Sequence, residues 1–252
     1  MEYRLDAVQK KLFCMMTAFD EFCHTNHLTY YLIGGSALGA LRHNGFIPWD
    51  DDVDVALPRK DFERMEYILK TNHYNYLGNY FYQAVEQNGP TGHLFEKEKE
   101  KSTQRPTVDI YPLDAVPDSK FAQKIQKVIC QVYHVATYRK PPKNRGIILK
   151  LLTSFFLFAT NDRFLSWLKK QAKKIITKWN KRDENLLSNL FGCAGYDKEK
   201  VPASYFGTPV YHEFESAYFP IPERCHEYMT HIYGDYMKLP PVSQQKPKHR
   251  KE

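Results

Sequence analysis

Residues 31–61 read YLIGGSALGALRHNGFIPWDDDVDVALPRKD, and the order of residue types in this stretch decides the fold class. Tyr31, Leu32 and Ile33 end an extended, β-favouring stretch that begins at Leu28. Gly34-Gly35-Ser36 makes a tight turn into a short helix, ALGALRH. A loop follows, and DVDVAL from Asp52 to Leu57 alternates polar and apolar residues as a strand does. Pro58 closes that strand, because proline lacks the N–H that a ladder needs. Strand, glycine turn, helix, loop and strand in this order predict an α+β domain, a mixed sheet flanked by helices.

The same stretch holds the chemistry. A glycine turn at a helix start lets backbone N–H groups approach a phosphate, whose charge the helix dipole favours; Gly34, Gly35 and Ser36 are the candidates. Asp52 and Asp54 lie two apart on a strand and therefore point to one face, with Val53 and Val55 toward the core. Two carboxylates about 4 Å apart repel by roughly 4 kcal/mol at an effective dielectric near 20. A divalent cation with oxygen ligands, Mg2+ or Mn2+, is the natural compensation. An isolated D-x-D motif is a weak signal, since aspartates also cap helices and coat loops. Here the glycine turn precedes it and Asp109, in TVDIYPLD, follows it as a third strand carboxylate, so Asp52, Asp54 and Asp109 are assigned as the metal ligands and catalytic carboxylates.

Outward from this centre, Leu5, Val8, Leu12, Met15, Phe19 and Phe22 repeat at helical spacing before it. Asp61 to Leu69 reads as a helix after it. Strands are expected over Tyr74–Val85, Gly92–Phe95 and Val108–Tyr111, with the charge run of residues 96–101 as a solvated loop. From Asp118 to about Leu190 the chain turns helical, with a basic linker at 139–145. The remainder mixes strand and helix and ends in a polar, basic tail. The organisation expected is a catalytic core with an N-terminal helix over 1–117, a helical region over 118–200, a part packing back on the core over 201–241, and a disordered tail over 242–252.

Composition bounds the alternatives. A net charge of +7 favours an acidic partner: phosphate-bearing substrate, nucleic acid or anionic membrane. The basic residues are dispersed and no recognition motif accompanies them, so no nucleic-acid partner is expected. Five scattered cysteines without a C-x-x-C pair imply reduced thiols, as in a cytosolic protein, rather than a disulfide framework. No Ser–His–Asp or Cys–His arrangement can be picked out by spacing. The apolar run IILKLLTSFFLFAT, residues 147–160, is short of the ~20 residues that cross a bilayer. Its length favours a buried or partner-facing helix over one lying in the membrane interface.

Taken together, GGS, ALGALRHNGFIPWDDDVDVALPR, VDIYPLD and the C-terminal YGDYMKLPP resemble the LicD family, over roughly residues 28–118 and 205–241. That family includes bacterial phosphocholine transferases and is similar to the fukutin-type phosphotransferases. The resemblance implies the nucleotidyltransferase fold shared with DNA polymerase beta-like enzymes. It also implies transfer of a phospho-substituent, most often phosphocholine from CDP-choline, to a sugar of a cell-surface glycan such as teichoic acid, lipopolysaccharide or capsule. A CDP-linked donor and a lipid-linked glycan acceptor would then be the partners. Such chemistry places the protein in the cytoplasm at the inner membrane face, held there by an anionic surface. The rival within the fold is nucleotidyl transfer to a small molecule or nucleic acid.

The remaining candidates have two readings each. Arg42 either clamps a phosphate or bridges Asp50 or Asp51, and Asp50 and Asp51 themselves either join the metal shell or stay outside it. His43 is a weak candidate base. Trp49 either stacks on the donor's base or choline, or pins the loop to the core. Tyr233 and Asp235 either close over the acceptor or merely follow a helix that ends at Gly234.

Overall fold

A computed structural model describes residues 5–71, 77–85, 91–96, 106–140, 147–181, 184–192 and 195–247. The 74–76, 97–101 and 141–145 parts of the expected strand, charged loop and linker, and the end of the basic tail, lie outside the described residues. The chain divides into two compact units. The first comprises Met1–Ala84, Thr91–Leu113 and Val201–Glu252, and the second comprises Val85–Pro90 and Asp114–Lys200.

The first unit opens with α1 (Ala7–Thr25), capped by a reciprocal pair in which the Asp6 carboxylate accepts from the Val8 and Gln9 amides. Its apolar face, Leu12, Met15, Phe19 and Phe22, is buried as the spacing predicts. There follow β1 (Tyr31–Leu32), α2 (Gly34–His43), β2 (Val53–Pro58), α3 (Arg59–Thr71), β3 (Tyr80–Val85), β4 (Thr91–Glu96) and β5 (Val108–Val116). The strands order β1-β2-β5-β4-β3. β1 pairs antiparallel with β2, β2 runs parallel with β5, and β4 is antiparallel to β5. This is a mixed α+β sheet. Val53, Val55, Val108 and Ile110 are all at most 1% exposed, so the alternate residues of β2 and β5 form the core face and the aspartates the other.

Two local expectations need correction. The Gly-Gly-Ser segment is not a turn ahead of the helix but the first turn of α2 itself. β2 begins at Val53, so Asp52 sits just outside the strand.

In the second unit the end of β5 pairs antiparallel with β6 (Leu186–Ser188). α4 (Lys120–Tyr138), α5 (Ile147–Ala159) and α6 (Asp162–Thr177) supply the helical character, and α7 (Tyr196–Glu199) is a single turn. Its core is Val116, Cys130, Tyr133, Ala172, Ile176, Leu190, Phe191 and Tyr196, drawn from α4, α6, α7, the end of β5 and the segment after β6. Buried Gln126 ties these together, donating to the Ala115 and Ile176 carbonyls and accepting from the Tyr196 hydroxyl. Of the two readings of residues 147–160, a buried or a partner-facing helix, simple burial does not hold for Ile147, Leu151, Phe155 and Phe158, which are exposed.

The chain returns to the first unit with β7 (Lys200–Pro202), the hairpin β8 (Val210–Phe214) and β9 (Ala217–Ile221), and α8 (Cys225–Tyr233). Gly234, at φ +72°, ends α8 and donates to the Thr230 carbonyl, the termination expected from the sequence.

Candidate active site

The parallel register of β2 and β5 sets Asp54 directly opposite Asp109. One carboxylate oxygen from each of Asp52, Asp54 and Asp109 lies within 4.8 Å of the others. All three residues are half-buried, so the group is open to a ligand from one side. Asp50, Asp51 and Asp52 form a second, overlapping group at the same spacing, with Asp50 and Asp51 buried. Asp52 is the shared member. Three convergent oxygen donors fit a hard divalent cation, while the second group is the more deeply buried of the two.

The glycines explain how the carboxylates come this close to a helix. A Cβ on Gly34, itself at φ +55°, would stand 2.9 Å from Asp54 Oδ2. A Cβ on Gly35 would stand 2.8 Å from Asp50 Oδ2. Their absence lets Asp50 and Asp54 approach the N-terminal end of α2, the positive end of the helix dipole. Ser36 Oγ accepts from the Asp54 N–H at 2.9 Å, and the Ile33 N–H donates to the Asp54 carbonyl at 3.0 Å. These two bonds stitch the start of α2 to β2 at the residue that matters.

The loop between α2 and β2 is held from far away in sequence. Asn44, in the left-handed region at φ 50°, ends α2. The Glu215 carboxylate, from the β8–β9 turn, accepts from the Phe46 N–H at 3.0 Å, and the Glu215 N–H donates to the Asn44 carbonyl. Phe46 meets Phe214 edge-on with centroids 4.9 Å apart. From α1, buried Gln9 Nε2 donates to the carbonyls of Ile47 and Asp50, each at 3.2 Å. Trp49 is half-buried in the turn closed by the Asp50 N–H on the Ile47 carbonyl.

Arg42 donates through Nε to His43 Nε2 at 3.0 Å and through Nη1 to the Tyr236 carbonyl at 2.8 Å. Two of its five N–H groups are thus spent on orienting the guanidinium. Desolvation lowers its pKa, opposed by the field of Asp50. Desolvation, then the charge of Arg42, likewise depresses His43, which suits the acceptor role of its Nε2. The Tyr236 hydroxyl is in turn hydrogen-bonded to His226 Nδ1 on α8. Tyr233 and Asp235 stay exposed at the end of α8. Asp114 belongs to the second unit, where it is fully buried and accepts from Asn180 Nδ2 at 2.7 Å.

Sequence reasoning overlooked His93. It faces Asp109 across the β4–β5 ladder, and its Nδ1 lies 2.5 Å from Asp109 Oδ1. Nothing in the run TGHLFE marks that histidine; only the strand register brings it to the carboxylates. Gln9, Glu215 and His226 were missed for the same reason.

Residues 27–140 match the family described as LicD/FKTN/FKRP, nucleotidyltransferase domain. The chain is similar to the lipopolysaccharide cholinephosphotransferase LicD of Haemophilus influenzae, with 30% identity over 267 residues covering 99% of this chain and 98% of that protein. It is also 32% identical over 106 residues to an uncharacterised protein of Rickettsia typhi, covering 41% of this chain and 34% of that one. The match to the Haemophilus protein spans both units, including β5 with Asp109 and the C-terminal segment that reaches Arg42. With identity sustained end to end, the chain belongs to the LicD family of phosphotransferases, enzymes that transfer phosphate-containing groups.

Proposed function

We propose that the protein moves phosphocholine from CDP-choline onto a sugar hydroxyl of a lipopolysaccharide or related cell-surface glycan, using a nucleotidyltransferase-like core and Mg2+ or Mn2+. The observation that carries this reading is the meeting of Asp52, Asp54 and Asp109 beside the glycine-opened start of α2. The similarity to a lipopolysaccharide cholinephosphotransferase supports the choice of donor and acceptor. A divalent ion on the three carboxylates would orient the donor diphosphate and offset charge on the departing oxygen.

The chain's own residues do the rest. The N–H groups at Gly34 and Gly35 and the dipole of α2 face the donor's phosphates. Ser36, which accepts from the Asp54 N–H, still has its own hydroxyl hydrogen to donate. Arg42, oriented by His43 and the Tyr236 carbonyl, gives its remaining N–H groups to a phosphate oxygen. The acceptor hydroxyl oxygen attacks the phosphorus that bears choline, the bond to the leaving phosphate breaks, and cytidine monophosphate departs. One carboxylate of the trio takes the hydroxyl proton, and His93 holds Asp109 in place while this happens. Trp49, Tyr233 and Asp235 are assigned to the rim that meets the choline and the acceptor. The enzyme works in the cytoplasm at the inner membrane face, where lipid-linked acceptors are within reach.

The test is incubation of the purified protein and Mg2+ with a glycan acceptor and, in turn, CDP-choline, CDP-ethanolamine, CDP-glycerol and CDP-ribitol. Release of cytidine monophosphate fastest with CDP-choline, and labelled choline on the glycan, is expected. Labelled cytidine on the acceptor would mean nucleotidyl transfer instead, and turnover with none of the four donors would sink the reading.

A further inference from the structure

The basic residues are not dispersed, contrary to the impression from the whole sequence. Residues 120–182 hold sixteen of the chain's 36 lysines and arginines but only one of its 29 acidic residues. The rest of the chain is therefore net acidic. That one acid, Asp162, is already bridged by Arg139. Arg139, Lys140, Arg163, Lys170, Lys174 and Lys178 are all exposed.

The same helices expose apolar side chains. Ile147, Leu151, Phe155 and Phe158 recur at four-, four- and three-residue steps and so form one stripe along α5. Phe155 is 71% and Phe158 89% exposed. The core of the second unit draws no residue from α5, so among the described residues this stripe is not the back of a packing face. Phe164 and Trp167, stacked with centroids 5.6 Å apart, extend the surface onto α6, and Phe156 meets Phe164 edge-on. Among the described residues no helix is long and apolar enough to cross a membrane.

We propose that α5 and the start of α6 form a docking surface that lies in the interface of an anionic bilayer. Two features select this occupant. A stripe of Ile, Leu and Phe without hydrogen-bonding groups suits acyl chains, with Phe and Trp at the boundary and lysine stems reaching back to the headgroups. A stretch this rich in cations, with Arg139, Lys140, Arg163, Lys170, Lys174 and Lys178 exposed, suits a surface of negative lipid and opposes a second copy of the same face, which would bring like charges together. The inference deepens the inner-face placement proposed above and rests on it for the choice of leaflet.

The test is co-sedimentation of the full-length protein with vesicles of phosphatidylethanolamine and phosphatidylglycerol, compared with vesicles of phosphatidylcholine alone. Binding should require the anionic lipid and weaken as salt is added. Phe155→Ser with Phe158→Ser, both on exposed positions, should lower the partition coefficient by roughly tenfold or more. Lys170→Gln with Lys174→Gln should weaken binding less and flatten its salt dependence. Circular dichroism and cytidine monophosphate release with a soluble acceptor, both matching the unaltered protein, show that the variants fold and that catalysis is separate. Equal binding to both vesicle types, or wild-type partitioning by the double phenylalanine variant, overturns the proposal. So does a duplex oligonucleotide that displaces the protein from vesicles while the phenylalanine variant binds that oligonucleotide normally, since the face would then serve nucleic acid. Vesicle binding without turnover of any CDP-linked donor would count against the proposed transfer alone and leave this surface standing.

Discussion

Residues 50–54 place four carboxylates in five positions, while residues 120–182 place sixteen cations against one acid. The first concentration is held at close quarters, while in the second Arg139, Lys140, Arg163, Lys170, Lys174 and Lys178 stand in solvent. Around Asp54 the backbone does the holding: a parallel register with Asp109, a serine hydroxyl on its N–H, and a glycine where any side chain would collide. Along α4 and α6 exposed cations such as Lys124, Lys170 and Lys174 share helices with the buried Cys130, Tyr133, Ala172 and Ile176. Crowded like charge under geometric constraint stores repulsion that a cation relieves. Spread like charge stores little and acts at a distance on whatever approaches.

That contrast can be broken most sharply at Asp54. Asp54→Asn should reduce transfer on the order of a thousandfold, as expected when several kcal/mol of transition-state stabilisation are lost. Thermal stability without metal should hold or rise, because one repelling charge has gone, and the stabilisation given by Mg2+ should shrink. Near-normal turnover in steady-state assays would remove Asp54 from the centre and with it the acidic half of the comparison.

Next in size are the constraints themselves. Gln9→Leu removes the buried amide that donates to the Ile47 and Asp50 carbonyls, a loss of about 1–3 kcal/mol, measurable by urea denaturation. Gly34→Ala forces a side chain to φ +55°, about 1–2 kcal/mol, and pushes on Asp54 Oδ2, so Mg2+ affinity should fall along with stability. If calorimetry finds Mg2+ binding unchanged in Gly34→Ala, the glycine serves the backbone alone.

A smaller effect concerns pH. His43 is depressed below its ordinary value of 6.5 by burial and by Arg42, so the unfolded chain binds the proton more readily than the folded one. Its contribution is fully present above the unfolded value and is lost as the pH falls from there toward the lower folded value. Protonation also ends its role as acceptor for Arg42 Nε, so donor affinity should weaken over the same range. His43→Gln, titrated alongside, should show a flatter profile; an unchanged profile would assign the effect elsewhere. The smallest change belongs to the basic unit. Lys170→Gln with Lys174→Gln should leave the unfolding free energy within about 0.5 kcal/mol, since solvated cations on a helix surface contribute little to folding. A larger loss would mean that these charges are structural, and the contrast between the two units would narrow.

Much of this was legible in the sequence because it is local. Strand alternation put Val53 and Val55 inside and Asp54 on the opposite face, and helical spacing gave the buried side of α1. The run of glycines, aspartates and Pro58 marked the site, and Gly234 marked the end of α8, because backbone conformation at such residues depends on few neighbours. Where α2 and β2 begin was misjudged by residues at the boundary, since the ends of elements shift by a residue or two with the hydrogen bonds made there, here the Asp54 N–H on Ser36 Oγ that ties the two starts together. For residues 147–160 the sequence left burial and a partner-facing helix both open. Apolar composition states what a helix prefers to contact, not whether the fold supplies it, and among the described residues the core of the second unit draws none from α5.

The tertiary structure alone decided the company that the aspartates keep. Asp109 stands 55 positions from Asp54 in sequence, and only the parallel pairing of β2 with β5 makes them neighbours. His93 reaches Asp109 through the antiparallel register of β4, Gln9 reaches the loop from α1, and the Tyr236 carbonyl reaches Arg42 from the far end of the chain. The sequence by itself determined the chemistry of each group and the local shape that carries it, because those follow from side-chain type and short-range sterics. Which groups meet depends on strand register and on long-range packing, whose free energy is shared over many residues and marked by none of them singly.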